Sequence, residues 1–114
     1  METLNLIREL QPLYKLAVVS SSDRSEVEPP LVRAGIRDCF QAIVCGMEVS
    51  NLKPAPDPYL RAAELLGVRS PLVVEDSEAG VWAGIAAGFE VLKVSRPELL
   101  GEEVRGFLKR KKAR

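Results

Sequence analysis

Four short apolar runs, each followed by a segment with helix signals, constrain the fold of this chain more than any other feature. The runs cover residues 15–19, 42–45, 71–74 and 91–94, and turn-forming residues stand at their ends. Short apolar runs of this length are typical of buried strands. Strands that alternate with helices of about ten residues form a parallel sheet with helices on both faces. The sequence therefore predicts an α/β fold with a Rossmann-like parallel sheet.

The segments between the runs carry the signals of helix starts and stops. The predicted helices cover residues 24–33, 59–66 and 78–87, with one further helix before Pro12 and a helical tail from Pro97. Asp57 is the predicted N-cap of the second of these, and Pro58 its first-turn residue. Pro29 and Pro30 lie inside the first and predict a kink or a late start, because proline removes a helix hydrogen bond.

The length and charge of the chain indicate one domain with a short basic end. A chain of 114 residues suits a single domain. We assign residues 1–108 to the core domain and residues 109–114 to a basic C-terminal tail, expected to be frayed and solvated. The tail holds five positive charges, so the remainder has a net charge of −5. An acidic body argues against nucleic acid as a partner.

The composition argues against histidine sites, cysteine metal or redox sites, and membrane spans. The chain has no histidine, which excludes histidine relays and histidine metal sites. Cys39 and Cys45 are six residues apart, which matches no zinc or redox spacing, and Cys45 is expected to be a buried free thiol. No apolar run approaches the roughly 20 residues that span a bilayer, and the start does not resemble a signal peptide. We expect a cytoplasmic protein without a membrane partner.

Polar residues with chemical potential follow the ends of predicted strands. Ser20 follows the first run, the pair Glu75 and Asp76 follows the third, and Lys53 lies in a proline-rich loop after the second. Each has an ordinary explanation: Ser20 as a turn residue, Lys53 as a solvated charge, Asp76 as a helix cap. Ligands of parallel α/β sheets bind beyond the carboxyl ends of the strands. Together, a hydroxyl, an ammonium and a carboxylate pair there predict a site for a phosphoryl group and Mg²⁺.

Three segments make the chain resemble a known family. VVSSSDR, LKPAPDPYL and VVEDSEAGVWAGIAAGF resemble motifs two, three and four of the haloacid dehalogenase (HAD) superfamily, in order and spacing. The likeness is greatest to the β-phosphoglucomutase and phosphoglycolate phosphatase branch, which implies a phosphorylated small molecule as substrate. The resemblance makes Lys53 the catalytic lysine that steadies the charges of the nucleophile and the phosphate. It implies phosphate binding by Ser20, Ser21, Ser22 and Lys53, and Mg²⁺ binding by Asp76 with Glu75 assisting directly or through water.

The chain departs from this family pattern in one respect that bears on catalysis. Family members begin with a strand ending in Asp-x-Asp, which supplies the nucleophile and the general acid/base. The four aspartates here are Asp23, Asp38, Asp57 and Asp76, and no two stand two residues apart. The helical cap of this branch is absent as well. The chain is therefore predicted to resemble the C-terminal portion of the family and to be inactive alone, with Mg²⁺ binding weak or absent.

The same departure has a structural consequence. In the family, the first strand lies between the motif-two and motif-four strands, so without it these two strands must pair directly or expose their edges. We expect a homo-oligomer, or a partner that supplies the N-terminal strand. A non-catalytic phosphate/Mg²⁺-binding or interaction module with a degenerate HAD fold is the alternative function. The order of hydroxyl, lysine and carboxylates does not suit a phospho-acceptor receiver domain, and no GxGxxG follows the first strand.

Overall fold

The structure, a computed structural model, describes residues 2–112 and confirms the alternation of strands and helices. The helices are α1 (Glu2–Leu10), α2 (Arg24–Arg33), α3 (Asp57–Leu66), α4 (Glu78–Ala86) and α5 (Leu100–Lys112). The strands are β1 (Ala17–Val19), β2 (Ala42–Val44), β3 (Leu72–Glu75) and β4 (Glu90–Lys93). Short 3₁₀ turns cover Arg37–Cys39, Gly46–Glu48 and Pro97–Leu99. The α/β class with parallel strands is confirmed.

Two details of the helices correct the sequence-based predictions. The late start of α2 is wrong, because the N–H groups of Glu26 and Val27 already bind the carbonyl oxygen of Asp23. The N-cap of α3 is Pro56, and Asp57 is the first helical residue. Pro58 fits the first turn because its missing N–H would have no helical partner there.

The C-terminal tail is helical as far as the structure describes it. Helix α5 runs through residues 109–112, and the Lys111 ammonium pairs with the Glu90 carboxylate at the start of β4. Residues 113 and 114 of the predicted tail lie outside the described residues. The boundary predicted after residue 108 therefore falls inside α5. This helix packs on α1, and its last turn carries the basic residues of the predicted tail.

The strands form two parallel pairs, and within residues 2–112 no strand has more than one neighbour. Strand β1 pairs with β2 in the register Ala17 to Ala42, and β3 pairs with β4 in the register Leu72 to Glu90. Strands β1 and β3, which carry the segments before Ser20 and Asp76, do not pair. We expected β1 and β3 either to pair directly or to expose their edges, and the structure shows exposed edges.

The two pairs are held by helices and a small shared core. Helix α3 packs on β1 and β2, α4 packs on β3 and β4, and α3 also contacts α4. The core cluster of Tyr59, Val73 and Ala83 includes residues from both halves, and Val19 packs against it. Cys45 is 1% exposed with a free thiol, as predicted. No helix in the described part of the chain is long and apolar enough to cross a membrane.

Candidate functional site

The side chain of Lys53 joins the carboxyl ends of β1 and β3. Its Nζ donates to the carbonyl oxygen of Val19 at 3.2 Å and to Oε2 of Glu75 at 2.9 Å. Because one ammonium reaches the last residue of both strands, their carboxyl ends lie at the same edge. The next residues, Ser20 and Asp76, therefore leave the two strands at this edge. The structure brings together the strand ends and the loop that the sequence singled out.

The ion pair of Lys53 and Glu75 is largely desolvated. Both side chains are 11% exposed, so water screens their attraction less than it screens a surface pair. The ring of Tyr59, in the first turn of α3, lies 5.1 Å from the Lys53 ammonium, within the range of a cation–π contact. The lysine is thus held on three sides.

The Glu75 carboxylate uses both oxygens within the chain. Oε2 accepts the Tyr59 hydroxyl at 2.5 Å as well as Lys53, and Oε1 accepts the N–H of Asp76 at 3.1 Å and the hydroxyl of Ser77 at 3.2 Å. Burial acts to raise the pKa of Glu75, but the bonds from Tyr59 and Lys53 outweigh it and lower that pKa to about 2. Burial and the bond to Glu75 raise the pKa of Tyr59, so its hydroxyl stays a donor.

Gly80 in α4 leaves room for the Glu75 carboxyl group. A Cβ at Gly80 would stand 2.0 Å from the carboxyl carbon and 2.1 Å from Oε2 of Glu75, closer than such atoms approach. Ser77 caps α4, since its hydroxyl accepts the N–H of Gly80 at 3.0 Å, so the cap of this helix is not Asp76. The sequence reasoning assigned no role to Tyr59 or Gly80 at this site, although the motifs that carried the resemblance include both.

Asp76 is the carboxylate of the pair that remains exposed to solvent. Within residues 2–112, no group of three or more histidine, cysteine or acidic side chains could enclose a metal ion. A single carboxylate still suits Mg²⁺, which keeps several water ligands and binds phosphate oxygens. An exposed carboxylate at this edge suits Mg²⁺ chemically, and binding of the ion by Asp76 stays a prediction. A role of Glu75 in metal binding stays a prediction, because its oxygens already accept protein donors.

The loop after β1 is fixed by its neighbour after β2. The Ser20 hydroxyl accepts the N–H of Ser22 at 3.1 Å, and the N–H of Gly46 donates to the carbonyl oxygen of Ser22 at 2.9 Å. A Cβ at Gly46 would stand 2.3 Å from the carbonyl oxygen of Ser21, so this close approach requires glycine. Ser21 and Ser22 are exposed. The loop is thus held by hydrogen bonds and is accessible to solvent, and phosphate binding by its serines stays a prediction.

An ion pair beside this loop holds the start of α2 against the end of β2. Arg24 donates from Nε to Oε2 of Glu48 at 2.7 Å and from Nη2 to Oε1 at 2.8 Å, and Nη2 also reaches the carbonyl oxygen of Ile43. The bidentate bond to Arg24 lowers the pKa of Glu48. The arginine thereby ties the start of α2, which follows the serine loop, to the end of β2, a role that sequence reasoning did not assign to it.

Comparison with known proteins gives a consistent family match. Residues 2–94 match the family described as haloacid dehalogenase-like hydrolase. The chain is 43% identical over 83 residues to a bifunctional riboflavin kinase/FMN phosphatase of Arabidopsis thaliana, covering 69% of this chain and 22% of that protein. It is 36% identical over 81 residues to the fructose-1-phosphate phosphatase YqaB of Escherichia coli, covering 69% and 43%.

Solved structures agree with the fold. The chain resembles a putative β-phosphoglucomutase from Thermotoga maritima with a TM-score of 0.73 and 29% identity, covering 88% of this chain and 50% of that one. It resembles a predicted phosphoglycolate phosphatase from Haemophilus somnus with a TM-score of 0.76 and 28% identity, covering 82% and 43%. The chain thus spans half or less of the length of these relatives.

Proposed function

Because the chain belongs to the haloacid dehalogenase-like hydrolase family, we propose that it forms the phosphate- and metal-binding part of a Mg²⁺-dependent phosphatase or phosphomutase. One observation carries the proposal: the Lys53 ammonium lies between the carboxyl ends of β1 and β3, directly before Ser20 and Asp76. A cation, a hydroxyl and a free carboxylate at one sheet edge suit a phosphoryl group and its Mg²⁺.

The residues at this edge have distinct proposed roles. The Ser20 hydroxyl and N–H groups of Ser21 and Ser22 hold phosphoryl oxygens, although the Ser22 N–H must first leave the Ser20 hydroxyl. Lys53 donates a hydrogen bond to a phosphoryl oxygen, while its charge stays paired with Glu75. Asp76 holds Mg²⁺, which when bound polarises the phosphoryl group. Glu75 acts through Lys53, which it fixes in place, and through water it can assist Asp76.

We also propose that the isolated chain does not turn over phosphomonoesters. Covalent phosphoryl transfer needs a positioned nucleophile. Asp23 occupies the N-cap position of α2, Asp38 lies in a 3₁₀ turn and Asp57 begins α3, so none of these three stands at the end of a strand. Asp76 does, but it is the proposed metal ligand. The nucleophile then has to come from another segment that completes the site, and the substrate is a phosphorylated small molecule.

The test separates binding from turnover. Hydrolysis of p-nitrophenyl phosphate with Mg²⁺ by the 114-residue chain should equal background. Titration calorimetry with inorganic phosphate should show weak binding that requires Mg²⁺. Asp76→Ala should abolish this binding, whereas Glu78→Ala, which removes an exposed carboxylate two residues further on, should preserve it.

Two outcomes would contradict the proposal. Turnover above background that disappears in Asp76→Asn would show that the chain needs no further nucleophile. Absence of any phosphate or Mg²⁺ binding would favour the alternative, a non-catalytic interaction module that keeps only the fold.

A further inference from the structure

The turn after α1 leaves two apolar side chains in contact with solvent. Leu13 is 64% exposed and Tyr14 is 38% exposed. Both line a groove of about 790 Å³, together with Phe107 of α5. The N–H groups of Leu13 and Tyr14 donate to the carbonyl oxygen of Leu10, each at 2.9 Å, so a hydrogen-bonded turn holds them in these positions.

This part of the groove lies at the edge where the strands begin. The strands of each pair are parallel, and Lys53 marks the edge where β1 and β3 end. Leu13 and Tyr14 precede β1, so they lie at the opposite edge. The Lys111 ammonium pairs with Glu90 at the start of β4, so the end of α5 lies there too. We call this region the amino-edge patch, and it comprises Leu13, Tyr14, Lys15, Phe107, Lys111 and Lys112.

The amino-edge patch has an excess of positive charge. Its three lysines face Glu90, the acidic residue that lines this end of the groove, so the excess is two charges. Lys111 pairs with Glu90, whereas Lys15 donates to a neutral group, the carbonyl oxygen of Leu66, at 2.9 Å. The chain without its last six residues has a net charge of −5, so the positive charge is local. Carboxylates are complementary to this patch.

The lysines lie on both sides of the apolar side chains. Lys15 directly precedes β1 and bonds to the end of α3, which packs on β1 and β2. Lys111 bonds to the start of β4, in the other strand pair. An occupant with apolar side chains between two rows of carboxylates therefore matches the patch. A second copy that met this chain patch to patch would bring two positive surfaces together, which disfavours it.

The backbone of the patch favours a helix as the occupant. The N–H groups of Leu13 and Tyr14 are already bonded, and Phe107 lies inside α5, so the patch contacts its occupant through side chains. An amphipathic helix satisfies its own backbone groups and presents an apolar stripe, as in helix-in-groove recognition. The concave apolar surface suits the protruding side chains of a helix better than the plane of a membrane.

We propose that the amino-edge patch binds an amphipathic helix of a partner protein, whose apolar stripe is flanked by acidic residues. The apolar stripe covers Leu13, Tyr14 and Phe107, and the carboxylates pair with the lysines beside them. This interaction is separate from the proposed phosphate site, which lies where the strands end.

Fluorescence anisotropy with a labelled peptide tests the proposal. The probe is Ser-Pro-Glu-Asp-Phe-Glu-Glu-Leu-Leu-Glu-Glu-Leu-Glu-Asp, whose apolar residues recur at helical spacing between carboxylates. It should bind the unaltered chain, and an increase of NaCl from about 0.05 M to about 0.5 M should weaken binding roughly threefold or more. A peptide of the same composition, with its apolar residues spread around the helix, should bind roughly tenfold more weakly.

Two pairs of variants locate the contact. Leu13→Asp should weaken binding roughly tenfold or more, because it removes an apolar contact and adds a negative charge. Val32→Asp is its control, since Val32 is 59% exposed in α2, away from the groove, and should bind normally. Lys112→Glu should weaken binding roughly threefold or more. Arg96→Glu makes the same change of charge at an exposed side chain beyond the end of β4, and should bind normally.

Equal binding of the two peptides would overturn the proposal, as would equal affinities of Leu13→Asp and Val32→Asp for the first peptide. Binding of the chain to vesicles of phosphatidylserine and phosphatidylcholine, with no change in peptide anisotropy, would also overturn it and identify a lipid surface as the ligand. These measurements contain neither phosphate nor Mg²⁺, so their outcome is independent of the phosphate titration.

Discussion

Replacing Tyr59 by phenylalanine isolates the bond that supports the Lys53–Glu75 pair. The ring of Tyr59 is 8% exposed and packs in the core, so phenylalanine keeps the packing and the contact with the lysine. Only the hydroxyl, 2.5 Å from the Glu75 carboxylate, is lost. A hydrogen bond to a buried charged group contributes about 1.5–3 kcal/mol. We expect Tyr59→Phe to lower the free energy of unfolding at neutral pH by about 2 kcal/mol.

The same substitution should change how stability depends on pH. The pKa of Glu75 is lowered to about 2 in the folded chain, against roughly 4.3 in the unfolded chain. A lowered carboxyl pKa gives stability that is fully present above pH 4.3 and is lost as the pH falls toward 2. This shift corresponds to on the order of 3 kcal/mol. Without the hydroxyl, the pKa of Glu75 should rise, so the variant should lose less stability on acidification.

Urea denaturation at pH 7 and at pH 3 measures both effects. The gap between wild type and Tyr59→Phe should be widest at pH 7 and should narrow at pH 3. Tyr14→Phe is the control, because Tyr14 is 38% exposed and its substitution should leave both values nearly unchanged. A gap that is the same at both pH values would show that the hydroxyl does not stabilise the ionised Glu75, and would refute this account.

Two further substitutions test the supports of the site by thermal or urea unfolding. Gly80→Ala should lower the free energy of unfolding by about 1–3 kcal/mol, because the new methyl group displaces the Glu75 carboxyl group. Gly106→Ala in α5 is the control: its methyl group meets only a flexible arginine side chain, so the helix preference of alanine should stabilise the chain slightly. Arg24→Lys should lower the free energy of unfolding by at most about 1 kcal/mol, since lysine cannot make the bidentate bond to the half-exposed Glu48. An equal loss in Arg24→Ala would show that the geometry of the guanidinium, more than its charge, stabilises this contact.

The sequence predicts the elements well because their signals are local. Each strand is a short apolar run, and α3 ends at Gly67, which takes the left-handed conformation that is common for glycine after a helix. The split of the strands into two pairs depends on contacts between distant segments, so the sequence left two arrangements open. Helix α2 continues through Pro29 and Pro30 although none of its residues is buried. Its bonds to the rest of the chain, such as those from Arg24 to Glu48, join segments that no local pattern connects.

The sequence predicted that residues after β1, β2 and β3 lie at one edge of the sheet, but it did not indicate which carboxylate pairs with Lys53. The sequence gives no reason to expect different roles for the adjacent carboxylates of Glu75 and Asp76. Their roles differ because Tyr59 and Gly80 contact Glu75. Tyr59 reaches Glu75 because α3 packs its first turn beside the end of β3, a contact over 16 residues that no local pattern encodes. Gly80 gives the carboxyl group its place under α4. The result is one carboxylate committed to the lysine and one exposed to solvent.

This division of the acid pair explains why phosphate binding should require Mg²⁺. The charge of Lys53 is balanced by Glu75 at 2.9 Å, so little of its attraction remains for an anion. Asp76 adds a further negative charge at the same edge, which disfavours phosphate when no cation is bound. A cation on Asp76 reverses that sign, and Lys53 then contributes donors to a phosphoryl group whose charge is already neutralised. Phosphate affinity that does not change on removal of Mg²⁺ would mean that the Lys53–Glu75 pair opens to receive the anion.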